Sequence, residues 1–243
     1  MLTIFRKELY SFFSNATAYI VIGIFLLLTS LFLWVFPGQY NIPDSGYANV
    51  DGLFYFAPWL FLFLCPAVSM HMIAEEKRSG TWELMLTRPL HSAQIVVAKY
   101  LAALVLVLIA LFPTLIYFFS VSYIAEPQGN IDAGGFWGSF IGLIMLAAVY
   151  LSIGIFASSI TKNQLVSFVA AVGMSFFMLY GFELVALMLS SVDVALWVDS
   201  LGIHAHYKSM SRGVIDSLDL AYFLVVISAF LALTVRAVDK SKQ

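Results

Sequence analysis

The sequence predicts an all-α integral membrane protein with six transmembrane helices, an N-terminal amphipathic interfacial helix and a short cytoplasmic helix between spans two and three. Three observations predict it. Hydrophobic residues make up 62% of the chain and charged residues 11%, with a mean hydropathy of +0.94, whereas soluble domains carry about 25% charged residues. The polar residues are too few to cover a globule in water, so the solvent is lipid. The apolar residues also fall into six long runs, and Lys and Arg collect on one side of the resulting arrangement.

Residues 1–14 place Leu2, Phe5, Leu9, Phe12 and Phe13 on one helical stripe, with Thr3, Arg6, Lys7, Tyr10 and Ser14 opposite. That pattern predicts a helix lying in the membrane interface. No short apolar region followed by a small-residue cleavage site is present, so the first span is expected to be retained. Thr17 to Val35 is uncharged over 19 residues, which at 1.5 Å per residue reaches about 29 Å, the thickness of a bilayer core. A polar loop with Pro37, Gly38, Pro43 and Gly46 leads to span two, Leu53 to Ile73, where Pro58 and Pro66 predict kinks.

Glu75, Glu76, Lys77, Arg78, Glu83, Arg88 and Lys99 then interrupt the hydrophobicity. At roughly 2.5–3.5 kcal/mol per charge at the bilayer centre, this stretch faces water. Spans three to five are Tyr100 to Ser120, Phe136 to Ile160 and Leu165 to Leu189, and a shorter sixth span, Leu220 to Val235, calls for local thinning or snorkelling. Residues 190–218 hold apolar pieces too short to cross and predict one or two short outer helices. Ten cations (Arg6, Lys7, Lys77, Arg78, Arg88, Lys99, Lys162, Arg236, Lys240 and Lys242) fall on one side, against Lys208 and Arg212 on the other. Both termini and the 75–99 segment are therefore expected to be cytoplasmic.

Several function classes drop out. The net charge of −2 gives no electrostatic case for nucleic acid. The lone Cys65 supports neither an intrachain disulfide nor a cysteine zinc cluster. No Gly is followed by Lys, so a phosphate-cradling loop is missing, and no H-E-x-x-H or G-x-S-x-G pattern occurs. No catalytic residue is assigned, and His71 reads as a structural or interfacial histidine. His204 and His206, with Met210 nearby, suggest a soft-metal site, but two His at i and i+2 converge only on an extended chain, so no metal is assigned.

Residues 75–89 read as a short cytoplasmic helix that starts near Ser79 or Thr81, follows Gly80 and stops at Pro89. Trp82, Met85 and Leu86 share one face. Such a ridge either fills a groove on a partner, with Glu83 fixing register, or packs on the chain's own spans. Glu183 is an acidic residue inside a predicted span and hence a functional candidate, unless it sits at the watery outer end of span five. Gly134, Gly138 and Gly142 form tandem G-x-x-x-G steps that allow close helix packing, inside one subunit or between two.

The run Glu-Glu-Lys-Arg-Ser-Gly-Thr-Trp-Glu-Leu-Met-Leu-Thr-Arg-Pro at 75–89, followed by Lys99 at the start of a span, resembles the coupling segment of ABC type-2 permeases. Residues 15–20 and 213–219 resemble the gliding-motility (GldF-type) branch, with the NosY-type permeases close by. The resemblance implies a permease subunit of an export or extraction system in a bacterial inner membrane. A separate ABC ATPase would dock on a coupling helix in segment 75–92, through Glu75, Glu76, Arg78, Gly80, Thr81, Trp82, Glu83, Leu86 and Pro89. It also implies a second permease subunit, identical or paralogous, a periplasmic or membrane-anchored auxiliary subunit, and lipid contact. ATP and Mg²⁺ would act through the ATPase, with no cofactor on this chain. The alternative is a mechanical component that relays ATPase-driven motion to a periplasmic partner and transports nothing.

Overall fold

A computed structural model describes residues 1–82, 91–211, 213 and 216–241. Among these residues all regular structure is helical, and six helical stretches are long and apolar enough to cross a membrane. Helix α1 (Leu2–Ser14) precedes α2 (Ala16–Ser30), which runs through a π turn at Leu31–Val35 as the first span. A one-turn helix, α3 (Ile42–Ser45), leads into α4 (Asp51–Ser69), and after a break at 70–73 the chain continues as α5 (Ala74–Ser79). Next come α6 (Ser92–Leu111), a 3₁₀ turn at Phe112–Thr114 that Pro113 imposes, and α7 (Leu115–Ile124). Then follow α8 (Ala133–Ile160), α9 (Gln164–Phe176) with a π turn at Phe177–Gly181, and α10 (Phe182–Leu187). Two short helices, α11 (Val192–Asp199) and α12 (Ile203–Met210), precede the last, α13 (Ser217–Lys240).

Helix α8 is the axis of the bundle. Of its most apolar stretch 78% is buried, against 28% for the first and fifth spans and 22% for the sixth, so those three form the periphery. The reason is visible in α8 itself, which carries small residues on several faces. Gly154 lies against Ser69 of α4, and Gly142 lies against Met210 and Tyr207 of α12. Without a hydrophobic driving force between helices in lipid, such close approach supplies the packing.

The glycine steps divide on inspection. Gly138 and Gly142 meet α12 and the turn after it; a Cβ on Gly134 would meet only Asp132 of its own helix start, though the backbone of Gly134 and Gly135 lies against Gly213. A Cβ on Gly138 would sit 2.8 Å from the Gly213 Cα and 3.0 Å from the Met210 carbonyl oxygen. Backbone cannot yield there as a side chain can, so Gly138→Ala is expected to destabilise by about 1–3 kcal/mol. Gly173, with nothing within 4 Å, is the control. Thermal unfolding in detergent should show a lower midpoint for Gly138→Ala and none of that loss for Gly173→Ala.

Three expectations need correcting. Span three begins at Ser92, not Tyr100, so Lys99 lies two turns inside a helix rather than at its mouth. The sixth helix covers 24 residues, about 36 Å at 1.5 Å per residue, and extends past the apolar run 220–235 at both ends. Its charged residues are at the two ends, which is why an apolar-run boundary underestimates it. In α1 the buried positions are Ile4, Glu8 and Phe12, while Leu2 is exposed. A buried cation described below draws Glu8 inward and turns the helix from its simple hydrophobic stripe.

Candidate functional site

The end of the bundle that carries both termini also carries the polar chemistry. It begins where α4 stops. At 70–73 the helical ladder is broken, which leaves backbone groups without intrahelical partners. One side chain on α8 satisfies three of them: Ser158 Oγ accepts from the Ile73 and Ala74 amides at 3.1 and 2.9 Å and donates to the Met70 carbonyl at 3.0 Å. A fourth, the Met72 carbonyl, accepts from Lys99 Nζ at 2.7 Å. The break is thus a clamped corner between α4 and α5.

Lys99 is fully buried. Besides Met72 it donates to Glu8 Oε1 at 2.9 Å and lies 2.9 Å from Glu76 Oε2. The Glu76 contact is an ion pair whose angle is off hydrogen-bond alignment. Glu76 Oε1 in turn accepts from Lys7 Nζ at 2.8 Å, and Lys7 lies 3.6 Å from Glu8. Two cations and two carboxylates therefore close a neutral cluster that joins α1, α5 and α6. Burial works against the charge on Lys7, but the hydrogen bond and Coulomb attraction of Glu76, reinforced by Glu8, outweigh it and raise the Lys7 pKa. His71 stands beside the cluster, its ring edge-on to Phe12 at 5.8 Å. Sequence reasoning took Lys99 as the lead-in to span three and gave Glu8 no role; their separation of 91 residues left no local signal.

The sequence predicts a helix that starts near Ser79 or Thr81, after Gly80; in the structure Ala74–Ser79 is already a helix, α5, and Gly80 closes it. Glu75 and Glu76 occupy the first turn and Lys77 and Arg78 the last, complementing the helix dipole. Gly80 then takes the left-handed conformation, φ 76°, with open space around it, so it is needed for its backbone alone. Glu75, Arg78, Gly80 and Thr81 are exposed and Glu76 is half-buried. Trp82 is different. It is buried with its Nε1–H donating to Ser241 Oγ at 3.3 Å and the Lys77 ammonium 6.0 Å from its ring centre, so it packs on this chain and not outward. The remaining coupling residues, Glu83, Leu86 and Pro89, lie outside the described residues.

At the opposite end, His204 and His206 sit on helical backbone and so diverge. His204 Nδ1 lies 3.1 Å from Glu183 Oε2 on α10, and His206 Nδ1 lies 2.7 Å from Asp219 Oδ1 on α13. Glu183 is near the end of its span and partly exposed. Each histidine is thus a strut between helices with a carboxylate of its own.

Comparison with known proteins places this arrangement. The profile of the ABC-2 family transporter protein family matches residues 39–201. The protein named "Probable ABC transporter permease protein NosY" of Pseudomonas aeruginosa is 28% identical over 195 residues, spanning 76% of this chain and 69% of that relative.

Proposed function

Since this chain belongs to the ABC-2 transporter family and is a multi-pass transporter membrane subunit, we propose that it couples ATP hydrolysis by a separate ABC ATPase to export or extraction of a substrate. The observation that carries the proposal is the Lys99 cluster. A displacement of segment 75–92 reaches Glu76 first, and through Lys99 it is delivered to α6 and, through Glu8, to α1. Buried ion pairs contribute little net stability but are costly to separate, so the three elements move together.

In this reading the termini and segment 75–92 are cytoplasmic and the membrane is the bacterial inner membrane, supported by the ten-to-two distribution of Lys and Arg. Glu83, Leu86 and Pro89, with the exposed Glu75, Arg78, Gly80 and Thr81, form the ATPase contact, and this chain has no catalytic residue of its own. A second permease subunit, identical or paralogous, packs on the thinly buried first and fifth spans. A periplasmic or membrane-anchored auxiliary subunit, where the complex has one, meets the 187–201 region, which exposes Met188 and Trp197. Residues 15–20 and 213–219 support a place in a gliding-motility complex, whereas the relative reported above is NosY.

Two measurements test this. Glu83→Lys with Leu86→Ala is expected to abolish co-purification with the ATPase and stimulation of its hydrolysis; unchanged values for both exclude the docking role. ATP-dependent flux in reconstituted vesicles then separates transport from the mechanical alternative, which predicts robust coupled hydrolysis with no flux of any candidate.

A further inference from the structure

Trp82 and Ser92 flank the stretch 83–90, and both are bonded to the same place, the last turn of α13 and the residue after it. Ser92 Oγ–H donates to Asp239 Oδ1 at 2.5 Å, and Trp82 Nε1–H donates to Ser241 Oγ at 3.3 Å. The end of span six therefore holds both Trp82 and Ser92, on either side of that stretch.

The other end of the same helix is also tied. Asp219, in its first turn and buried, pairs with His206 Nδ1 at 2.7 Å, while His206 Nε2 lies 2.9 Å from the Ser200 carbonyl. Both ring nitrogens lie within hydrogen-bond distance of an oxygen, so the ring bridges Asp219 to the turn before α12. One helical turn on, Tyr222 stacks on the His206 ring at 3.9 Å and 20° and donates its hydroxyl to the Leu201 carbonyl at 2.6 Å. The first two turns of α13 thus grip α12 and the turn before it.

Between these ends the helix is apolar and packs along α8 and α6. Phe223, Ile227, Thr234 and Val238 make one buried stripe along it. Thr234 Oγ1 bonds its own helix at Phe230, and Leu224, Val225 and Leu233 are exposed. An element with polar attachments only at its ends and a slick face between them is suited to small sliding against its neighbour. Its length, about 36 Å, spans the membrane.

We propose that α13 is a rod linking the two faces of the protein: Asp239 and Ser241 are positioning residues that make span six follow the coupling segment, and Asp219 and Tyr222 pass that motion to α12. The proposal rests on the ATPase-coupled reading above. It adds a direct route from the cytoplasmic segment to the outer face, independent of the Lys99 cluster.

The test uses the complete complex with its ATPase. Lys208→Cys places a thiol on the exposed face of α12, and the native Cys65 is buried, so a membrane-impermeant maleimide reports on α12. Between the nucleotide-free state and the state trapped with ATP and vanadate, the labelling rate is expected to change about threefold or more. Asp239→Ala with Ser241→Ala should reduce that ratio to near one while the ATPase still co-purifies. His206→Ala should do the same from the other end, and Asp239→Asn, whose carbonyl still accepts the Ser92 bond, should restore the ratio. A ratio that persists in the Asp239→Ala, Ser241→Ala variant with the ATPase bound overturns the rod. So does loss of the ATPase in that variant, which would make these residues part of the dock. Failure of the unmodified chain to bind any ATPase removes the coupled reading itself and is recognised by pull-down alone.

Discussion

Lys99→Met is expected to be the most damaging single substitution at the end of the bundle that carries both termini. Methionine keeps the length of the side chain and the helix propensity of the position, so the change isolates the charge. It leaves Glu8 and Glu76 facing each other across the space the ammonium held, with half-exposed Lys7 as their remaining cation and the Met72 carbonyl without its donor. Removing one partner from a buried ion pair costs about 3–5 kcal/mol. For a chain of this length that lowers a thermal midpoint by roughly 10 °C, at about 2–4 °C per kcal/mol. The companion variant decides the mechanism. Lys99→Met combined with Glu8→Gln and Glu76→Gln removes the charges together and should regain most of the stability, because neutral side chains can be buried there. It should not regain coupling: co-purification with the ATPase is expected to persist while its hydrolysis no longer responds to the permease. Recovery of both would make the cluster a stability device and nothing more.

What could be read from the sequence follows from what is local. The six spans stand out because each is a continuous apolar run long enough to cross a bilayer, a property that needs no tertiary information. Gly80 and the charge order of α5 are local signals too, yet the sequence sets Gly80 ahead of a helix, whereas it ends one. The Lys99 cluster is not. Its members come from three elements, and a Lys at the head of an apolar run looks like any interfacial anchor until its partners are known. The same holds for Glu8, placed by periodicity on neither face of α1 and drawn inward by a charge 91 residues away. Trp82 was legible as an apolar ridge residue, but whether the ridge faced a partner or the chain itself depended on Ser241, near the far end of the sequence. The sequence assigns no metal to His204 and His206, and their separate roles show only once helical backbone sends the two rings toward different carboxylates.

Ser158 and Ser159 make this limit concrete, because nothing in the sequence distinguishes two adjacent serines near the end of a span. Ser159 Oγ donates to Phe156 of its own helix, a bond that any helical serine can make. Ser158 Oγ serves three backbone groups of another element. Ser158→Ala therefore strands two amides and a carbonyl in a buried corner, at about 1–3 kcal/mol for each group left unpaired, whereas Ser159→Ala should change stability by less than about 1 kcal/mol. Thermal unfolding of the two variants side by side gives the first comparison. Amide hydrogen exchange gives the second and sharper one: Ile73 and Ala74 should lose protection in Ser158→Ala and keep it in Ser159→Ala, since local opening is governed by the bonds that hold those amides. Coupling should fall with the protection. A corner that is no longer clamped lets α5 swing without turning α4, so motion of segment 75–92 is absorbed at 70–73 instead of entering span two. Equal melting and equal exchange in the two variants would show that the corner is held by packing alone, and the clamp would have no part in transmission.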